Sequence, residues 1–118
     1  MDTSILQKVL EILEKIDITT KQLDSHLRNS PRRARNHVNM TGGWVVPLYN
    51  ESTDKSKVNT LPPSDIFPAE VHCTDLDLWD KSKMLVINNW YGSTLEFEDS
   101  DDERMMRLKL IRFICTLD

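Results

Sequence analysis

The first 29 residues contain a heptad repeat of aliphatic side chains, which constrains the fold more than any other feature of the sequence. Aliphatic residues fill six of the seven a and d positions between residues 6 and 27, and Thr20 occupies the remaining a position. Side chains three and four residues apart share one face of an α-helix, so the spacing predicts an amphipathic helix from about Ile5 to Leu27 or Arg28. The six positions, called the apolar stripe below, are Leu6, Val9, Leu13, Ile16, Leu23 and Leu27.

The expected ends of this helix follow from local capping signals. Ser4 is the predicted N-cap, because Gln7 follows it at the capping-box spacing. Ser30-Pro31 is expected to end the helix, because a residue that precedes proline avoids the helical conformation.

The sequence therefore divides into three parts. Residues 1–29 are predicted to form an oligomerising amphipathic helix, residues 30–43 an Arg-rich hinge, and residues 44–118 a small C-terminal domain. The predicted fold class is mainly α: a coiled-coil-type helix followed by a small helical domain with short extended segments.

The apolar stripe predicts self-association. Ile5, Leu10 and Ile12 flank the a and d positions and widen the apolar surface. Leu at a positions with Val or Ile at d positions favours a trimer or tetramer over a dimer. The alternative is that the stripe packs against the chain's own C-terminal domain.

A cluster of four arginines follows the stripe. Guanidinium groups bind carboxylate or phosphate through paired hydrogen bonds, so the cluster is a candidate site for an acidic or chromatin-associated protein or for nucleic acid. The plain alternative is a solvated linker. Nucleic acid is weakly supported, because the net charge is −4 and residues 75–103 carry nine acidic side chains and two lysines. The members of this basic cluster are Arg28, Arg32, Arg33 and Arg35.

Two helices are expected in the last third of the chain. Thr74 is the predicted cap of one helix that ends near Gly92, and Ser100 is the predicted cap of the final helix. Large side chains are expected to form the core of the domain. They are Trp44, Phe67, Trp79, Trp90 and Phe113.

Catalytic and metal-binding patterns are missing from the sequence. The histidines His26, His37 and His72 do not have metal-ligand spacing, and the acidic residues 96–103 lack the EF-hand pattern. We therefore expect no enzymatic activity, no catalytic residues, no metal and no cofactor. Neither a membrane-spanning segment nor a signal peptide is predicted, so we expect the nucleus or the cytoplasm and not secretion.

The C-terminal part contains a series of short motifs: Ala34-Arg35-Asn36, Pro47-Leu48, Phe67-Pro68, Trp79, Leu85, Trp90-Tyr91-Gly92 and Arg107 to Ile114. In this order they resemble a fungal family of small uncharacterised proteins with a conserved C-terminal domain. The resemblance covers about residues 34–115, and fission-yeast members are known as meiotically upregulated proteins. The resemblance implies a coiled-coil-assembled interaction protein in meiosis or in a selfish spore-killing or antidote system. It carries over no catalytic residue.

Together these features predict a non-enzymatic, homo-oligomeric protein-interaction module. Its main partner would be further copies of itself, as a trimer or tetramer. The alternative function is a nuclear chromatin- or nucleic-acid-associated protein that uses the basic cluster between Arg28 and Arg35.

Overall fold

The computed structural model describes residues 2–116 and confirms the mainly helical fold class. A long helix, α1, is followed by a small domain that contains a two-stranded sheet, a 3-10 helix and two α-helices. In chain order the elements are α1 (Thr3–Asn39), β1 (Trp44–Val45), β2 (Val71–His72), the 3-10 helix (Cys73–Leu78), α2 (Lys81–Trp90) and α3 (Glu103–Cys115). The molecule measures 60 × 31 × 25 Å, because α1 alone is about 55 Å long at its usual rise per residue.

Helix α1 is longer at both ends than the sequence predicts. Its N-cap is Asp2, whose carboxylate accepts a hydrogen bond from the Ser4 N–H (3.1 Å), so Ser4 is not the cap. At the other end, α1 continues through Pro31 to Asn39. Proline removes the hydrogen bond to the carbonyl four residues earlier and crowds that carbonyl, but contacts with the domain hold the following turns in place.

The prediction of an Arg-rich hinge over residues 30–43 is therefore wrong. Residues 30–39 form the last turns of α1, and residues 40–43 make the turn into β1. The basic cluster consequently lies on a helix and not on a linker.

The helix predicted to start at Thr74 is divided in two. His72 caps the 3-10 helix, and an extended Trp79 separates that helix from α2. Asp80 then caps α2, because its carboxylate accepts a hydrogen bond from the Lys83 N–H (2.8 Å). Helix α3 likewise begins after Asp102 and not at Ser100.

The core lies between β1, β2, the 3-10 helix, α2 and α3, and α1 contacts this domain mainly through α3 and β1. Phe67 and Trp90 are buried in it as predicted, while Trp79 and Phe113 are partly buried and pack against it. Trp44 was wrongly predicted as a core residue, since its side chain is 51% exposed. Neighbouring residues of a strand point to opposite faces of the sheet. In β1 the side chain of Val45 is buried, so that of Trp44 points to the exposed face. The other core residues are mostly aliphatic: Val45, Leu48, Val71, Leu76, Met84, Ile87, Tyr91, Leu95, Met106, Leu110, Ile114 and Cys115.

Within residues 2–116, no helix combines the length and the apolar character that crossing a membrane requires. Helix α1 has the length, but charged side chains alternate with its apolar ones.

Candidate functional site: the exposed face of the first helix

The apolar stripe lies on the surface of the molecule. Its six side chains are between 43% exposed (Val9) and 71% exposed (Leu27). The flanking residues Ile5, Leu10 and Ile12 are also more than half exposed. Contiguous apolar surface of this extent on a folded chain is typical of an interaction site.

The opposite face of α1 contacts the domain. The buried residues of α1 are all polar: Ser25, Asn29 and Asn36. With 100° of rotation per residue, these positions point about 170° away from the apolar stripe. The stripe is therefore exposed because α1 uses a different, polar face for contacts within the chain.

Two asparagines seven residues apart bind the extended segment 46–49. Asn36 donates to the Val46 carbonyl (2.8 Å) and accepts from the Val46 N–H (2.8 Å). Asn29 makes the same pair of bonds with Tyr49, at 2.9 and 2.7 Å. The two amide side chains thus replace the neighbouring strand that this segment would otherwise need.

Glu51 connects the loop after this segment to three side chains of α1. Its Oε2 accepts from Asn29 (3.0 Å) and from Arg33 (3.1 Å), and its Oε1 lies 3.0 Å from Nδ1 of His26. In addition, Gln22 donates to the Glu51 backbone carbonyl (3.0 Å). This network fixes the position of α1 along more than two turns.

Two members of the basic cluster surround Tyr49. The Arg28 guanidinium lies 4.0 Å from the centre of the Tyr49 ring, and that of Arg32 lies 5.2 Å from it. Arg32 also donates to the Pro47 carbonyl (2.7 Å), and burial lowers the pKa of its guanidinium from its ordinary value. Both side chains therefore contribute to docking α1 on the domain.

The other two members also contact the chain itself. Arg33 forms an ion pair with Glu51 and donates to the Phe113 carbonyl (3.3 Å). Arg35 forms an ion pair with Glu70 (3.0 Å). The interpretation of the cluster as a solvated linker is wrong, since each guanidinium contacts another part of the molecule.

Thr20 interrupts the apolar stripe without leaving an unbonded hydroxyl. Its Oγ1 donates to the Ile16 carbonyl (2.8 Å) within the same helix. The side chain can therefore be covered by a partner without the cost of burying an unsatisfied donor.

The first three turns of α1 extend beyond the domain. Residues 2–13 are exposed along their whole length. An ion pair between Glu14 and Lys55 joins α1 to the loop at residues 50–60 just after them. Leu6, Val9 and Leu13 therefore lie on a projecting helix.

One cleft of the domain is lined by basic side chains. A cleft of about 250 Å³ between α1 and α3 contains Arg33, Lys109 and Arg112. Two of these are neutralised, Arg33 by Glu51 (3.1 Å) and Lys109 by Asp101 (2.6 Å). No group of three or more His, Cys, Asp or Glu side chains within residues 2–116 is placed to hold a metal ion.

Both cysteines are free and buried. Burial raises the pKa of the Cys115 thiol to about 11. The thiol is therefore protonated at neutral pH, and a protonated thiol is a poor nucleophile.

Comparison with known proteins identifies no relative: no protein-family model, curated protein or solved structure matches this chain. The functional assignment therefore depends on the geometry of α1.

The sequence reasoning missed the docking residues Asn29, Asn36 and Glu51. Their signal was present in part, because two asparagines seven residues apart must share one face of a helix. That face lies opposite the apolar stripe, which indicates a second contact surface. Glu51 gave no such signal, because its partners are 18 to 29 residues away in the sequence.

Proposed function

We propose that this chain is a non-enzymatic, self-associating interaction module whose α1 helices pack together through the apolar stripe. The observation that carries the proposal is the exposure of six aliphatic side chains in heptad register on the face of α1 that points away from the domain. The fold of the single chain leaves this face for a partner.

A second copy of the chain is the partner that fits this face best. A heptad seam is self-complementary, since side chains at a and d positions of one helix fill the spaces between those of another. The apolar residues Ile5, Leu10 and Ile12 widen the seam, which favours three or four helices over two.

Burial of the apolar stripe between copies would favour assembly. Complete burial of a Leu, Ile or Val side chain contributes about 1.5–3 kcal/mol, so the exposed half contributes about 1 kcal/mol. The stripe and its three flanking residues would then supply about 9 kcal/mol per chain, or about 18 kcal/mol per pair. The loss of translational and rotational freedom on association costs roughly 4–15 kcal/mol, so the apolar burial has the size that association requires.

The test is the mass in solution of the variant Leu13→Glu/Ile16→Glu. Both side chains are 55% exposed and lie at the centre of the stripe, so charges there should abolish association without unfolding the domain. Light scattering after size exclusion should give three or four times 13.8 kDa for the wild type and 13.8 kDa for the variant.

The matched control is Ser4→Glu/Gln7→Glu. It adds the same two charges to α1 outside the stripe, and it should keep the wild-type mass. A wild type that is monomeric at every concentration, or a stripe variant that keeps the wild-type mass, would contradict the proposal.

The contacts of the basic cluster argue against the alternative function. Arg28 is paired with Asp24 and Arg35 with Glu70, and both arginine side chains are 46% exposed. To bind nucleic acid, each arginine would have to replace its carboxylate partner with a phosphate group. Such binding would be strongly salt-dependent and would weaken in the variant Arg28→Ala/Arg35→Ala.

A further inference from the structure

We infer that the copies assemble in parallel, with all C-terminal domains at one end of the helical bundle. The inference rests on the proposed function and adds the direction of the chains. It follows from the different charges on the two edges of the apolar stripe.

The two edges have different chemistry. The e positions form an acidic edge, which consists of Leu10, Asp17 and Asp24. The g positions form an acid-free edge, which consists of Ile5, Ile12, Thr19 and His26.

Chain direction decides which edges meet. In a parallel bundle, the e positions of one helix face the g positions of its neighbour. The acidic edge then meets the acid-free edge at every interface. In an antiparallel pair, e positions face e positions, so the acidic edges of the two copies lie side by side. Like charges placed near one another across an interface are destabilising, so this direction is less favourable.

Two lysines strengthen the preference for the parallel direction. Lys8 and Lys15 occupy c positions, which border the acid-free edge, and both are exposed. Among residues 2–116 neither lysine forms an ion pair. In a parallel bundle, Lys15 lies at nearly the same height as Asp17 of the neighbouring copy, because the two positions differ by only about 3 Å along the axis.

The acidic side chains remain partly exposed. Asp17 is paired with Lys21 (3.0 Å) within α1, and Asp24 is paired with Arg28 (4.0 Å) and accepts a hydrogen bond from Asn59 (2.8 Å). The two side chains are 63% and 54% exposed. One carboxylate accepts hydrogen bonds from two cations, so Lys15 of a neighbour can be added without breaking the existing pair.

Disulfide trapping tests the direction. In a parallel bundle Leu6 packs beside Leu6 of another copy, so the variant Leu6→Cys should form a covalent dimer in a glutathione redox buffer. In an antiparallel bundle Leu6 lies near Leu23, so Leu6→Cys would cross-link only when mixed with Leu23→Cys. The wild type is the control, because Cys73 and Cys115 are buried and should not cross-link.

Charge exchange provides a second test that introduces no cysteine. Lys15→Glu should weaken association by about twofold to fivefold, and Lys15→Glu/Asp17→Lys should restore it. An oligomer that cross-links only in the mixture of Leu6→Cys and Leu23→Cys would overturn the parallel direction and leave the proposed function intact. A wild type without any oligomer would overturn both.

Discussion

Buried amide side chains attach α1 to the rest of the molecule. Asn36 is fully buried and forms three hydrogen bonds, two with Val46 and one with the Ile114 carbonyl (2.9 Å). It therefore joins α1 to both the extended segment and α3. A buried amide costs free energy unless its donors and acceptors are satisfied, and here each neighbouring backbone group supplies a partner.

Replacing Asn36 with Ala should lower the free energy of unfolding by about 2–3 kcal/mol, because three backbone groups lose their partner. Urea unfolding measures the change. The control is Asn39→Ala: Asn39 donates a single bond to the Trp44 carbonyl (2.8 Å) at an exposed position, so less than about 1 kcal/mol should be lost. Equal losses in the two variants would show that burial of the Asn36 bonds is not what stabilises the contact.

At the scale of elements, helix α1 continues through a proline. Pro31 has no N–H to donate to the Leu27 carbonyl, so one hydrogen bond of the helix is missing. The following turns persist because Arg32, Arg33 and Asn36 bind the domain. Tertiary contacts therefore keep the chain helical at a proline, where the local sequence alone predicts the end of the helix.

Pro31→Ala should raise the free energy of unfolding by about 1–2 kcal/mol, because it restores the hydrogen bond at an exposed position of the helix. The urea midpoint reports the gain. Ser30→Ala alters the same turn without adding a bond, and it should change stability by less than about 0.5 kcal/mol. A loss of stability in Pro31→Ala would mean that the proline conformation itself is needed for docking.

The helix predictions show how far the sequence determines these elements. The 3.6-residue periodicity correctly identified α1 up to residue 28, because the apolar stripe is a local pattern. The continuation to Asn39 was missed, because it depends on partners such as Val46 and Ile114 that are distant in the sequence. The N-caps of α1 and α3 were each predicted two residues away from their observed positions. The sequence favoured Ser4 and Ser100, but Asp2 and Asp102 are the N-caps.

At the scale of the whole molecule, the domain folds without covering the apolar stripe, because α1 contacts the domain through its other face. The sequence alone could not decide whether the apolar stripe covers the domain or remains free. The stripe remains free because the polar face of α1 binds the domain instead. The partners of that face lie between residues 44 and 51, where the sequence shows no periodic pattern. Trp44 was misplaced for a related reason, since a two-residue strand is too short to reveal its inward face. The meiotic or spore-killing role that the resemblance implies stays a prediction.

A chain that begins at residue 14 should keep the stability of the domain and lose self-association. Residues 2–13 are exposed and carry Leu6, Val9 and Leu13, which form half of the apolar stripe. Circular dichroism should show the same thermal midpoint as the Leu13→Glu/Ile16→Glu variant, which is also expected to be monomeric. Light scattering should give a monomer, and an unchanged oligomer would place the contact in the domain.

The use of opposite faces of α1 for folding and for assembly has a kinetic consequence. In the proposed assembly, the domain of each copy would fold before it meets another, so a subunit could leave the bundle and return without unfolding of its domain. The fraction assembled would then be set by mass action, and it would rise with the amount of protein that a cell makes. Two forms of the chain that share the stripe but differ in the domain would exchange subunits and form mixed bundles.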